Sequence, residues 1–316
     1  MPTKLTTRGH SRADLRGTTI VPLMTPFTAS GGLDEVGVAR LVEHVLAGGC
    51  EGILVAGTTG EFASMSVPMR ERLFGLVMRI VNGRALVFSG IGDTSMEHSL
   101  ALAAVALEAG ADALVANLPS YYPLTDSMVE DYFVALAERV AAPLFIYNIP
   151  QTTRQSVPLD VIERLSRHPA IMGVKDSEPD PQRQVRLGRS FVGREDFAVF
   201  CGSVGTARVA IEAGADGYVP GVGNLLPRFV RDSLNALFEG DETERATAQR
   251  SLDEVNAVYQ RGRSVTQMFA ALKALLEIAG LCGRHVLPPL QAVGDEEARQ
   301  LERALGDVTV KSWMQP

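Results

Sequence analysis

Lys175, Tyr147 and the pair Thr58-Thr59 each follow a short apolar run in this 316-residue chain, a setting in which their side chains could do chemistry. Lys175 closes Ile171-Met-Gly-Val-Lys175, so its stem should leave an apolar interior. Desolvation disfavours an ammonium there, and a neutral amine is the nucleophile that makes a Schiff base with a ketone. A lysine paired with Asp176 or Glu61 fits the same position, and the sequence leaves both readings open. Tyr147 closes Pro143-Leu-Phe-Ile-Tyr147. A phenol can relay protons during carbinolamine formation and dehydration, or it can be a core aromatic with a satisfied hydroxyl. Gly57-Thr58-Thr59-Gly60-Glu61 flanks a threonine pair with glycines. Such a turn can present consecutive N–H groups to a small carboxylate or phosphate, or be only a turn.

Other chemistries have weaker support. His10, His44, His98, His168 and His285 form no HxH or HxxxH pair, so no metal centre is expected. No GxSxG elbow occurs for a serine hydrolase. Gly202-Ser203 and Gly221-Val-Gly223 could cradle a phosphate, but no lysine stands nearby, and close backbone approach ranks ahead. Cys50, Cys201 and Cys282 are odd in number and far apart, which fits reduced thiols in a cytoplasm better than a disulfide framework. The composition is 46% apolar and 21% charged, ordinary for a globular enzyme. The net charge of −7 speaks against a nucleic-acid partner, and no run of about 18 apolar residues predicts a membrane span.

The elements that must position these residues show in an internal repeat. His44 to Val55, Leu107 to Val115 and Ile211 to Val219 each end an apolar-faced helix, pass a glycine and enter an apolar run. Gly49, Gly110 and Gly214 stand where a helix end needs a left-handed residue. Continuous apolar runs predict strands buried on both faces. Eight of them fall near residues 20, 53, 86, 114, 144, 172, 199 and 218, most alternating with helices. Eight βα units closing into a (β/α)8 TIM barrel account for this best. A doubly wound open sheet is the runner-up, but no GxGxxG follows the first strand. The predicted organisation is an N-terminal arm over 1–17, a catalytic barrel over 18–223 and a helical block over 224–316. That block contains helices over Leu225 to Leu237, Ala246 to Arg261 and Val265 to Ala279, and a short piece over Arg299 to Leu305. In such a barrel the site lies at the C-terminal strand ends, which is where Lys175, Tyr147 and the threonine pair fall.

Gly57-Thr-Thr-Gly-Glu61, the Tyr-Tyr-Pro-Leu-Thr run from Tyr121 to Thr125, Tyr147-Asn-Ile-Pro150 and Gly173-Val-Lys175-Asp occur together and in this order. On these pieces the chain resembles the dihydrodipicolinate synthase / N-acetylneuraminate lyase family of class I, pyruvate-dependent aldolases. The resemblance covers about Gly17 to Gly223, and the family also carries a helical tail. It implies that Lys175 forms the Schiff base with pyruvate or another 2-keto acid and that Tyr147 relays protons. It implies that Thr58 links Tyr147 to a second tyrosine from a neighbouring subunit, and that the Thr58 and Thr59 amides with the Thr59 hydroxyl hold the carboxylate. Gapless alignment puts the second tyrosine at Tyr121, with Tyr122 the close alternative. Val219 would offer its carbonyl near the keto acid, Gly202 and Ser203 would border the substrate, and no cofactor or metal is implied. The partners implied are a 2-keto acid, an aldehyde and further copies of the chain, as a homodimer or homotetramer.

The acceptor end departs from the family pattern. Synthases that use aspartate semialdehyde carry an arginine shortly after the Tyr-Asn-x-Pro motif, where this chain has Thr152, with Arg154 two residues on. Threonine cannot replace a bidentate arginine contact. Sialic-acid lyases place acidic residues after the strand-seven glycine, where this chain reads Gly202-Ser-Val204-Gly. The expected acceptor is therefore neither aspartate semialdehyde nor N-acetylmannosamine. The alternatives are 4-hydroxy-tetrahydrodipicolinate synthase, a 2-keto-3-deoxy sugar-acid dehydratase on the same imine, and a non-catalytic keto-acid-binding member.

Overall fold

Gly49, Gly110 and Gly214 take φ of +82°, +101° and +108°. Each ends a helix in the left-handed conformation that a side chain would penalise, as the repeat predicts. The computed structural model describes residues 11–140 and 142–308. His10 and the rest of the arm before Ser11, and the last residues of the C-terminal block, lie outside the described residues.

Eight strands follow one another: β1 Thr18–Pro22, β2 Gly52–Val55, β3 Leu86–Gly90, β4 Ala113–Asn117, β5 Leu144–Asn148, β6 Ile171–Asp176, β7 Ala198–Cys201 and β8 Gly217–Tyr218. They pair in chain order into a closed parallel barrel, and the open-sheet alternative falls away. The helices are α1 Arg12–Leu15, α2 Glu35–Ala47, α3 Val67–Val81, α4 Met96–Ala109, α5 Asp126–Val140, α6 Pro150–Thr153 and α7 Leu159–Leu165. After them come α8 Pro181–Ser190, α9 Ala207–Glu212, α10 Pro227–Glu239, α11 Glu242–Gln260, α12 Val265–Ile278 and α13 Asp295–Asp307. The chain forms two compact units. One takes residues up to Thr18 together with Leu86–Val219, and the other takes Thr19–Ala85 together with residues from Pro220 on.

In the first unit three phenylalanines fill the space the strands enclose. The rings of Phe88 and Phe145 meet edge to face at 5.2 Å, and Phe200 lies 5.9 Å from Phe145. Two glycines make the room. A Cβ on Gly173 would sit 2.5 Å from the Phe145 ring and 2.4 Å from the Ala198 carbonyl oxygen. A Cβ on Gly217 would sit 2.6 Å from the Phe200 ring. The described end of the N-terminal arm, from Ser11, is held in place. Arg12–Leu15 is helical, Arg12 and Leu15 are buried, and Arg12 Nε donates to Asp216 at 2.9 Å. Arg12 also donates to the Phe191 and Arg194 carbonyls, and Asp216 accepts the Val199 amide at 2.8 Å. A buried guanidinium with several acceptors anchors what composition alone reads as an arm.

In the second unit β1 pairs with β2, and the C-terminal helices belong to the same unit. Helices α10 to α13 pack in sequence, and α10 also lies against α2. A Cβ on Gly48, the residue that closes α2, would sit 2.4 Å from the Pro227 ring. Helix α11 starts at Glu242, earlier than the apolar spacing indicates, because Asp241 and Glu244 form a reciprocal capping box. Helix α13 is longer than the piece expected from Arg299. Its first turn is acidic, which the N-terminal end of the helix dipole favours.

Candidate active site

Lys175 and Tyr147 sit side by side. Strands β5 and β6 pair with Tyr147 opposite Lys175, so both side chains leave the same face. The Lys175 Nζ lies over the Tyr147 ring, 4.0 Å from its centre. Lys175 is 6% exposed and Tyr147 is buried. Gly202 borders the lysine stem: a Cβ there would come within 3.1 Å of Lys175 Cε and 2.1 Å of Ser177 Oγ. The backbone of the strand-seven loop thus approaches the lysine stem closely.

Both carboxylates that the sequence offered to Lys175 are engaged elsewhere. Asp176 is fully buried on the opposite face of β6 and takes Arg183 Nε at 2.9 Å, Asn148 Nδ2 at 2.9 Å and Gln184 Nε2 at 2.9 Å. Burial pushes its carboxyl above the usual range, and Arg183 opposes that rise. Glu61 pairs with Lys273 of α12 at 2.5 Å and accepts the Leu287 amide at 3.0 Å. Lys273 is 0% exposed, donates to the His285 carbonyl at 2.7 Å and lies 4.1 Å from the Phe27 ring centre. Burial pulls its ammonium below the ordinary lysine range, while Glu61 raises it.

In the second unit Thr58–Gly60 forms a 3₁₀ turn just after β2. The Gly60 and Glu61 amides close it by donating to the Gly57 and Thr58 carbonyls, each at 3.0 Å. Ala56 and Glu61, both with side chains, take φ of +52° and +61° on either side of the turn. Such conformations persist only where surrounding contacts determine them. Thr25 Oγ1 holds the Gly60 carbonyl at 2.8 Å, and a Cβ on Gly60 would lie 2.9 Å from the Leu23 oxygen.

The remaining predicted residues distribute differently. Tyr121 and Tyr122 are 78% and 73% exposed and stack edge to face at 5.0 Å. Thr152 lies in α6, exposed, with its hydroxyl turned to the Ile149 carbonyl at 3.3 Å. Arg154 follows it in the left-handed region at φ +59°. Val219 is buried, and its amide donates to the Cys201 carbonyl at 2.8 Å. The Ser203 carbonyl accepts from Cys201 Sγ and from Thr206 Oγ1, each at 3.3 Å. Three of the described histidines serve locally: His44 meets the Leu225 carbonyl, His98 meets Asp93, and His168 accepts the Ala170 amide. Among the described residues no group of three or more His, Cys, Asp or Glu side chains converges on a metal position, and no helix is long and apolar enough to cross a membrane.

Sequence reasoning passed over Arg183, Gln184, Lys273 and Asn224. Asn224 accepts the Met24 amide at 2.8 Å and donates to the Pro22 and Gly221 carbonyls, joining the end of β1 to the turn after β8. The signal available for Arg183 was a cation placed one strand-to-helix connection beyond Asp176. For Lys273 it was a lone lysine inside the apolar run of α12. All three cysteines are buried and free. Burial pushes Cys50 up to about 12, and Cys201 and Cys282 up to about 11. Thiolate chemistry is therefore suppressed at neutral pH.

The family profile described as the dihydrodipicolinate synthetase family matches residues 16–308. The chain belongs to this family. It is accordingly a carbon–carbon lyase of the aldolase class. The 4-hydroxy-tetrahydrodipicolinate synthase 1 of Streptomyces coelicolor is 32% identical over 294 residues, covering 92% of this chain and 94% of that protein. The 4-hydroxy-tetrahydrodipicolinate synthase of Kineococcus radiotolerans is 33% identical over 288 residues, covering 90% of this chain and 91% of the relative. Among solved structures, the dihydrodipicolinate synthase of Bacteroides thetaiotaomicron superposes with a TM-score of 0.87 at 30% identity, over 93% of this chain and 98% of that one. A prophage protein of E. coli from the dihydrodipicolinic acid synthase family, solved in complex with pyruvate, gives a TM-score of 0.87 at 26% identity, over 92% of this chain and 98% of that one.

Proposed function

We propose that this family member condenses or cleaves 2-keto acids through a Schiff base on Lys175, with pyruvate as one partner. The observation that carries this is the isolation of a buried amine against Tyr147 while Asp176 and Glu61 are committed to Arg183 and Lys273. The neutral amine adds to the C2 carbonyl of pyruvate, and the phenol of Tyr147 protonates the departing hydroxyl so that water leaves. The iminium then loses a proton from its methyl carbon to the Tyr147 phenolate, the C–H electrons form an enamine, and the enamine carbon attacks an aldehyde while the phenol returns the proton to the new alkoxide. In reverse, the iminium accepts the electrons of the broken C–C bond. Water returns the amine and releases the keto acid.

In this reading the Thr58 and Thr59 amides and the Thr59 hydroxyl hold the carboxylate, and the Val219 carbonyl faces the keto acid. The Thr58 hydroxyl joins Tyr147 to Tyr121, or to Tyr122, supplied by a second copy of the chain in a homodimer or homotetramer. The exposure of this aromatic pair supports a partner there. Gly202, Ser203 and Thr152 border the acceptor aldehyde. Thr152 in place of an arginine supports an acceptor without a second carboxylate, and Val204 supports one other than N-acetylmannosamine. Three buried free thiols fit a reducing cytoplasm. The names of the two bacterial relatives favour a second reading, 4-hydroxy-tetrahydrodipicolinate synthase.

Borohydride reduction in the presence of pyruvate tests the chemistry. One pyruvate-derived adduct is expected on Lys175, and its absence there, or persistent labelling of Lys175→Ala, refutes the Schiff base. Product analysis with a panel of aldehydes then assigns the acceptor. Turnover of aspartate semialdehyde alone would establish the second reading.

A further inference from the structure

The back of β5 and β6 carries a polar cluster that the chemistry above does not use. Lys175 and Tyr147 face one side of these strands, and their neighbours Asp176 and Asn148, also paired in register, face the other. Five donor contacts converge on the Asp176 carboxylate. Oδ2 takes Arg183 Nε at 2.9 Å, a second Arg183 nitrogen at 2.8 Å and Asn148 Nδ2 at 2.9 Å. Oδ1 takes Gln184 Nε2 and the Glu178 amide, each at 2.9 Å.

The cluster extends to the loops on both sides. Asn148 Oδ1 accepts the Val157 amide at 2.9 Å, and Arg183 donates to the Val157 carbonyl at 2.8 Å. Asn148 Nδ2 and Ser156 Oγ reach Glu178 at 3.0 and 2.6 Å. The main chain adds Ser177 N to the Asn148 carbonyl at 2.9 Å and Gly202 N to the Asp176 carbonyl at 2.7 Å. The ends of β5, β6 and β7 are thus tied to one carboxylate or its adjacent peptide.

Ordinary stability does not explain the arrangement. Arg183 and Asp176 are both buried, and a buried ion pair recovers its desolvation cost only with excellent geometry, so an apolar pair of equal volume often serves as well. A fully satisfied buried network does fix one geometry among neighbouring possibilities. The residues it fixes flank the amine and the phenol in the sequence.

We propose that Asp176, gripped by Arg183 and Asn148, is a positioning residue: it sets the β5 and β6 ends so that the Lys175 amine is held against Tyr147 in reactive register. This rests on the Schiff-base reading of Lys175. The cluster does not touch substrate. Its effect is on how fast the imine forms, and not on how tightly the keto acid is first bound.

Arg183→Lys tests it, because lysine keeps the charge and loses the planar fork that spans Asp176 and the Val157 carbonyl. The readouts are the dissociation constant of pyruvate and the rate of borohydride-trappable imine formation, both on folded protein as judged by circular dichroism. The trapping rate should fall about tenfold to a hundredfold, the range that a misplacement near 1 Å produces. Pyruvate affinity should stay within about twofold, since no binding group is altered. Gln184→Met, which removes one of the five contacts to Asp176 together with a bond to the Glu178 carbonyl, should show a smaller fall in the same rate and serves if Arg183→Lys does not fold. A folded variant that traps at the wild-type rate, with only its unfolding midpoint lowered, overturns the proposal. Wild-type protein that shows no adduct on Lys175 refutes the Schiff-base reading instead, so the two failures are distinguishable.

Discussion

Replacing Lys273 by methionine removes the charge from a site with no route to water. Its Nζ holds Glu61 at 2.5 Å and the His285 carbonyl at 2.7 Å, and the side chain is 0% exposed. Methionine fills nearly the same volume, so little cavity forms and the effect is electrostatic. Glu61 would keep only the Leu287 amide among the partners seen here, leaving a buried carboxylate without its counter-charge. Breaking a buried pair on one side costs about 3–5 kcal/mol. The orphaned carbonyl adds about 1–3 kcal/mol, but the two losses share one site and are not additive, so about 4 kcal/mol is the expected total. The double variant Lys273→Met with Glu61→Gln removes both charges and retains an oxygen for the Leu287 amide. It should recover to within about 2 kcal/mol of wild type. Urea unfolding followed by circular dichroism at neutral pH gives all four corners of this cycle. A single variant that loses less than about 1 kcal/mol, or a double variant whose loss equals the sum of the singles, would refute the argument. The left-handed Glu61 closes the Thr58–Gly60 turn, so Lys273→Met should also weaken pyruvate binding if that turn holds the carboxylate.

Further outcomes follow from packing and from burial. Gly173→Ala puts a Cβ 2.4 Å from the Ala198 carbonyl and 2.5 Å from the Phe145 ring, and overpacking of this kind costs about 1–3 kcal/mol or more. A thermal melt should show the loss, and an unchanged melting temperature would mean that the strands separate without strain. Gly202→Ala meets the movable Ser177 hydroxyl and the Lys175 stem, so the imine-trapping rate should fall while the melting temperature moves little. The three buried thiols should be inert to a thiol reagent at pH 8 and all react in denaturant, and prompt native labelling of any one would contradict its burial. Their folded values lie above the ordinary 9.0, so between that value and about 11 the unfolded chain sheds thiol protons that the native state keeps. Stability should therefore fall as pH rises through this window, measured as the urea midpoint against pH. A flat profile for the wild type beside a Cys→Ala triple variant would rule that contribution out.

The strand positions, the helix-ending glycines and the order of the site motifs were legible because they are local. A short apolar run bounded by turn residues reads as a buried strand from its own neighbourhood, and Gly49, Gly110 and Gly214 are required by the conformation of their own backbone. Lys175 and Tyr147 were legible as polar residues ending such runs, and strand pairing then set them opposite each other. The partner of Arg12 is not legible in the sequence, because a basic, polar stretch gives no hint of Asp216, 204 residues on. Helix α11 was read too short because apolar spacing ignores caps.

By itself the sequence determined that this is a (β/α)8 aldolase-class chain with an amine, a phenol and a threonine turn at strand ends. Which charge meets which was decided only by the tertiary structure. Asp176 is next to Lys175 in the chain, yet the alternation of a strand sends it to the opposite face and to Arg183. Glu61 stands inside the threonine motif, yet its counter-ion comes from α12, far along the chain. Period-two alternation and long-range packing allot the carboxylates, and that allotment leaves the Lys175 amine facing an aromatic ring rather than a counter-charge.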